Sequence, residues 1–166
     1  MPSFKSHTVD DTIAFGTTLG ALLGPGDVLL LSGDLGAGKT QFAKGVGTAL
    51  GVEEDIISPT FNILLVHLGT TLTLNHWDLY RLGRAEDLDD IDYFAQVASD
   101  AVSLVEWGDR FADTALDADL DLRFRYLGEH ERDIEVTPLS ARGEVLNARL
   151  ARALEAEGLR DGECNE

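Results

Sequence analysis

The spacing of hydrophobic positions switches repeatedly between a helical and an extended period, and the switches outline an α/β chain. Asp10, Asp11 and Thr12 offer capping side chains, after which Phe15, Leu19 and Leu22 recur at helical spacing. Gly24-Pro25-Gly26-Asp27 reads as a turn. Residues 28–32 are apolar without polar alternation, as expected of a strand covered on both faces of a parallel sheet. Past a glycine-rich stretch, residues 39–50 place Phe42, Val46 and Ala49 on one helical face, and Gly51 ends the helix. Residues 52–57 are acidic and irregular.

Residues 63–68 and 72–77 are strand-like, and Gly69-Thr70 between them predicts a hairpin. Short helical pieces are expected around residues 84–88 and 92–98. Residues 101–105 read as a second buried strand ending at Glu106-Trp107. Leu120, Leu122, Phe124 and Tyr126 alternate with charged residues, as do Ile134 and Val136, which predicts an antiparallel pair joined by residues 127–132. A last helix is expected over residues 143–155, with Leu146, Leu150 and Ala153 on one side. The sum is one α/β domain whose mixed sheet has a parallel centre, antiparallel additions and helices on both faces. Its expected extent is residues 1–155, with residues 156–166 as a disordered tail.

Composition narrows the class of protein without naming its chemistry. The 166 residues suffice for one domain with a real core, and 44% of them are hydrophobic. No apolar run reaches the length of a membrane span, and the N-terminus lacks the apolar stretch of a secretory signal. The single cysteine, Cys164, excludes a disulfide framework and a cysteine metal site. The chain is therefore expected to be cytoplasmic. Its net charge of −17 argues against strong direct nucleic-acid binding, because such binders carry a basic patch.

Gly33-Asp34-Leu35-Gly36-Ala37-Gly38-Lys39-Thr40 fits the phosphate-binding pattern G-x-x-x-x-G-K-[ST], with a buried strand before it and an amphipathic helix after it. Glycines let the backbone wrap a phosphate, so that consecutive N–H groups of residues 33–40 point inward. The helix beginning there turns its positive end to the same anion. Lys39 would reach the β- and γ-phosphates, and the Thr40 hydroxyl would ligate Mg²⁺. A metal at such a loop needs acidic help from a neighbouring strand end, for which Asp78 and Glu106 both qualify. Thr60, after Ser58-Pro59, could sense the γ-phosphate or simply belong to a turn. Trp77 and Trp107 are by default core residues rather than adenine stackers. His7, His67, His76 and His130 show no metal-ligand spacing, and His76 reads as a packed strand residue. Arg81, Arg110 and Arg132 could contact phosphate or ribose, with exposed surface positions as the default.

Four segments in order resemble the TsaE family, the ATPase subunit of the bacterial tRNA threonylcarbamoyladenosine machinery. They are the loop 33–40, Ser58-Pro59-Thr60-Phe61, His76-Trp77-Asp78-Leu79-Tyr80-Arg81-Leu82 and Val105-Glu106-Trp107, with Asp92-Tyr93-Phe94 between the last two. The resemblance runs from about Thr12 to Leu154. It implies ATP and Mg²⁺ as cofactors and TsaD-like and TsaB-like subunits as partners, which modify the adenosine beside the anticodon. It further implies Lys39 and Thr40 at the phosphates and metal, and Glu106 as a metal ligand. Asp78 would act on the metal indirectly or orient the attacking water. Thr60 falls in a switch-like segment, Trp107 in a Glu-Trp pair, and Arg132 aligns loosely with a nucleotide contact.

Two other functions share the loop. A small-molecule P-loop kinase usually brings an Arg-rich lid, whereas the corresponding stretch carries Glu86, Asp87, Asp89, Asp90 and Asp92. A nucleotide-dependent scaffold that hydrolyses nothing has no need for both Asp78 and Glu106.

Overall fold

The computed structural model describes residues 3–34, 36–59, 62–111 and 116–158, without the side chains of Asp109 and Arg110. Seven strands form one sheet: β1 (Ser3–Ser6), β2 (Val28–Gly33), β3 (Leu64–His67), β4 (Leu74–Asp78), β5 (Val102–Glu106), β6 (Leu120–Tyr126) and β7 (Arg132–Pro138). Their order across the sheet is β1-β7-β6-β2-β5-β4-β3. Strands β6, β2, β5 and β4 are mutually parallel, while β3 adds antiparallel to β4 and β7 and β1 add antiparallel beyond β6. The expected parallel centre with antiparallel additions is present.

The helices are α1 (Val9–Gly20), α2 (Lys39–Leu50), α3 (Glu86–Asp90), α4 (Tyr93–Val97) and α5 (Ala141–Ala156). On one face, Phe15 and Leu19 of α1, Phe42 and Val46 of α2, and Leu146 and Leu150 of α5 pack with Leu29, Leu31, Leu104 and Leu122 of the sheet. On the other, Leu88 of α3 and Tyr93 and Val97 of α4 pack with Val28, Trp77 and Val105. Both faces of β2, β4 and β5 are thus covered, which is why β2 carries no polar alternation and every residue of β4 and β5 is buried. An aromatic relay, Phe4–Phe15–Phe42–Phe124, ties β1, α1, α2 and β6 together with ring centroids 4.7–5.8 Å apart.

Three details differ from the sequence reading. Helix α1 begins at Val9, because Thr8 accepts from Asp11 N–H while the Asp11 carboxylate accepts from Thr8 N–H, a reciprocal capping box. Strand β1 has no counterpart in the pattern reading, and it pairs with β7 through Phe4, whose side chain points into the core. Tyr126 closes β6 but is exposed, so the inward alternation stops at Phe124. The hairpin, the two short helical pieces and the last helix lie where the pattern places them, within a few residues. Residues 159–166 of the expected tail lie outside the described residues.

Helices α1 and α2 cross at glycines. A Cβ on Gly45 would strike the Ile13 carbonyl oxygen, and one on Gly16 would strike that of Phe42. This close crossing brings the start of α2 against α1, with Thr12 packed beside Gly38. Gly45→Val should therefore lower stability by about 1–3 kcal/mol, the usual range for overpacking. A shift of the urea midpoint to lower concentration would show it; an unchanged midpoint would mean that the helices separate freely.

Candidate nucleotide site

Parallel strands put their C-terminal ends on one edge, and in this sheet β2, β4 and β5 all deliver polar residues there. Strand β2 ends at Gly33, whose φ of 137° and approach to the Phe124 carbonyl exclude a side chain. Gly36 and Gly38 also have positive φ, and Gly38 caps α2 in the left-handed region. Ala37 is buried, with its N–H donating to Asp34 O at 3.0 Å. The loop thus turns directly into the first turn of α2, which carries Lys39 and Thr40.

Lys39 is only 8% exposed. Its ammonium donates to Gly33 O at 3.0 Å and stands 5.1 Å from the Trp107 ring centroid. These contacts hold the charge at the mouth of the loop rather than in bulk water. Across from it, β4 ends at Asp78 and β5 at Glu106, which are directly paired in the parallel register. Both are buried. Tyr80 N–H donates to Asp78 Oδ1 at 2.9 Å, which fixes the carboxylate. Trp107 follows with a φ of 65°, an uncommon conformation for a bulky residue. That turn sets the indole against Lys39 and, at 5.1 Å between ring centroids, against Tyr80.

Gly36, Gly38, Lys39, Thr40, Asp78, Glu106 and Trp107 line one cavity of about 470 Å³, within the range of small-molecule sites. Gln41, Ser58 and Tyr80 complete its wall. Most of the proposed residues are therefore brought together, although they come from three separate parts of the chain. Gly33 and Ala37 shape the loop from beneath, and Leu35 and Thr60 lie outside the described residues. Trp77 belongs to the core.

Arg132 is placed differently from a cavity-lining contact. One guanidinium nitrogen donates to the carbonyls of Gly128 and Glu131 at 2.8 and 2.9 Å, and the other to Gly36 O at 3.2 Å. Its planar group also lies over the Tyr126 ring, 4.5 Å from the centroid. It thus braces the 33–40 loop against the β6–β7 connection. His76, read from sequence as a packed strand residue, is indeed fully buried, but its Nε2 is 3.3 Å from the Glu106 carboxylate. The sequence signal for this placement is only its two-residue offset from Asp78.

Burial raises the Asp78 pKa above its ordinary 3.8, with the negative charge of Glu106 adding to the effect against the Tyr80 N–H. A carboxylate that binds its proton more tightly when folded opposes folding once it ionises. That penalty begins as pH rises past 3.8 and is complete above the raised native value. Asp78→Asn keeps an acceptor for Tyr80 N–H and should be more stable than the parent at pH 7. The gain should shrink as pH falls through the native pKa and vanish below the ordinary value. Urea midpoints against pH for the two proteins test this, and equal midpoints at pH 7 would contradict it.

Among the described residues no three His, Cys, Asp or Glu side chains gather as a self-sufficient metal site, and no helix is long and apolar enough to cross a membrane. A family model described as threonylcarbamoyl adenosine biosynthesis protein TsaE matches residues 6–134. The tRNA threonylcarbamoyladenosine biosynthesis protein TsaE of Treponema pallidum is 42% identical over 131 residues, covering 79% of this chain and 96% of that protein. Its namesake from Bacillus subtilis is 37% identical over 155 residues, covering 92% and 96%. The crystal structure of Bacillus subtilis YdiB superposes with a TM-score of 0.74 at 30% identity, over 91% of this chain and 94% of that one. With the matched residues enclosing the glycine loop, Asp78 and Glu106, the chain belongs to the TsaE family.

Proposed function

We propose that this chain binds ATP with Mg²⁺ in the cavity between the 33–40 loop and the ends of β4 and β5. We propose further that it hydrolyses the nucleotide as the ATPase subunit of tRNA threonylcarbamoyladenosine biosynthesis. The observation that carries the reading is the parallel pairing of Asp78 with Glu106 in the same cavity as Lys39 and Thr40.

The donor set fits the metal. Thr40, Asp78 and Glu106 offer only oxygen ligands, the hard set that suits Mg²⁺, and too few to cage it without phosphate and water. When bound, the ion would neutralise charge developing on the phosphate oxygens. The chain's own part is positional. Main-chain N–H groups of the loop and the start of α2 receive the phosphates, and Lys39 adds a fixed positive charge. Asp78 is aimed by Tyr80 N–H and is suited to orient an attacking water, which leaves Glu106 to hold the metal. Trp107 and Tyr80 form an aromatic wall that limits solvent at the cavity mouth.

The partners expected are TsaD-like and TsaB-like subunits, with tRNA held mainly by their surfaces, since this chain's charge of −17 disfavours a phosphate backbone. A kinase lid is not supported: Glu86, Asp89, Asp90 and Asp92 of the corresponding stretch are exposed acids. Mixing the purified chain with such partners should form a complex and raise a low intrinsic rate of phosphate release. An unchanged rate with no complex on size exclusion would refute the assignment.

A further inference from the structure

We infer that His76 is the positioning residue for Glu106, holding one carboxylate oxygen so that the other faces the cavity. In the parallel register His76 is paired with Leu104 and Asp78 with Glu106. Leu74, His76 and Asp78 therefore leave one face of β4, and Leu104 and Glu106 the same face of β5. That face is the one covered by α2, because Leu74 and Leu104 share a core cluster with Phe42 and Val46. His76 is the step between this apolar layer and the polar cavity above it.

The imidazole is 0% exposed, and neither ring nitrogen has an aligned hydrogen-bond partner among the described residues. A polar ring buried in that way is unfavourable unless a partner lies close. The Glu106 carboxylate does, with Oε2 3.3 Å from Nε2. In the inferred pairing Nε2–H donates and Oε2 accepts. Glu106 is itself buried, so few other donors compete for that oxygen. The carboxylate is then divided between two tasks, one oxygen fixed from below and the other turned to the site. Residues that orient a metal-binding carboxylate in this manner affect metal affinity or activity by roughly 10–100-fold when removed. The catalytic consequence rests on the ATP-site reading of Glu106; the pairing itself does not.

The test has two arms on the full chain. Nitrogen-15 NMR of histidine-labelled protein, with His76 assigned by its loss in His76→Gln, should show a proton on Nε2 whose shift changes in Glu106→Ala. An Nδ1–H tautomer, or a resonance indifferent to Glu106→Ala, overturns the proposal whatever the enzyme does. In the second arm His76→Leu should lower kcat by about 10-fold or more, with nucleotide affinity measured in EDTA unchanged. His76→Gln, which keeps a donor near the Nε2 position, should recover most of that loss. Equal losses in Leu and Gln variants, together with lost metal-free affinity, would make His76 a core filler and overturn the proposal. A parent protein silent in phosphate release even with partners would instead remove the ATPase reading, while the NMR arm still decides the pairing.

Discussion

Lys39→Ala should lower ATP turnover by about 10²–10³-fold, the usual cost of removing one preorganised donor from a developing anion. It should also cost most of the nucleotide affinity. The ammonium is delivered by the first residue of α2 and is held at the loop by Gly33 O and the Trp107 face, so its position is set before a ligand arrives. Preorganisation makes the effect large, since no reorganisation is needed when the phosphate enters. Stability should change little, because one hydrogen bond to a carbonyl contributes only about 1 kcal/mol. Phosphate release, a fluorescent-nucleotide titration and a thermal melt separate these effects. Turnover within about threefold of the parent would exclude Lys39 from the phosphate site.

Glu106→Gln should separate the two effects, with hydrolysis reduced by about 100-fold or more and nucleotide binding in EDTA nearly unchanged. The substitution preserves volume at a buried position, removes the charge and leaves one oxygen to accept from His76. Because the Glu106 charge contributes to raising the Asp78 pKa, its removal should also let Asp78 ionise more readily. The variant should therefore fold at least as stably as the parent at neutral pH, so lost activity cannot be ascribed to unfolding. Parallel measurement of kcat, metal-free affinity and urea midpoint distinguishes the cases. Loss of binding equal to the loss of turnover would assign Glu106 to nucleotide contact instead.

The glycine loop was legible because its signal is local: a strand, a fixed spacing and a helix in uninterrupted order. Asp78 and Glu106 were legible as candidates since each follows a strand-like stretch. Their side-by-side pairing was not, because it depends on β4 and β5 meeting in a particular register across the whole of residues 79–101. The same non-locality hid the contact of His76 with Glu106 and that of Arg132 with Gly36 O. Strand β1 escaped notice because four residues with alternating Phe4 and Ser6 inward give too short a period to register. Gly16 and Gly45 look like weak points in helices from sequence, and only the crossing of α1 and α2 reveals their use.

Calorimetric titration of the full chain with ATP, with and without Mg²⁺, addresses the nucleotide site most directly. Expected is a saturable heat for one site, stronger with the metal and absent in Lys39→Ala. A flat titration under both conditions, from protein shown to be folded, would contradict it.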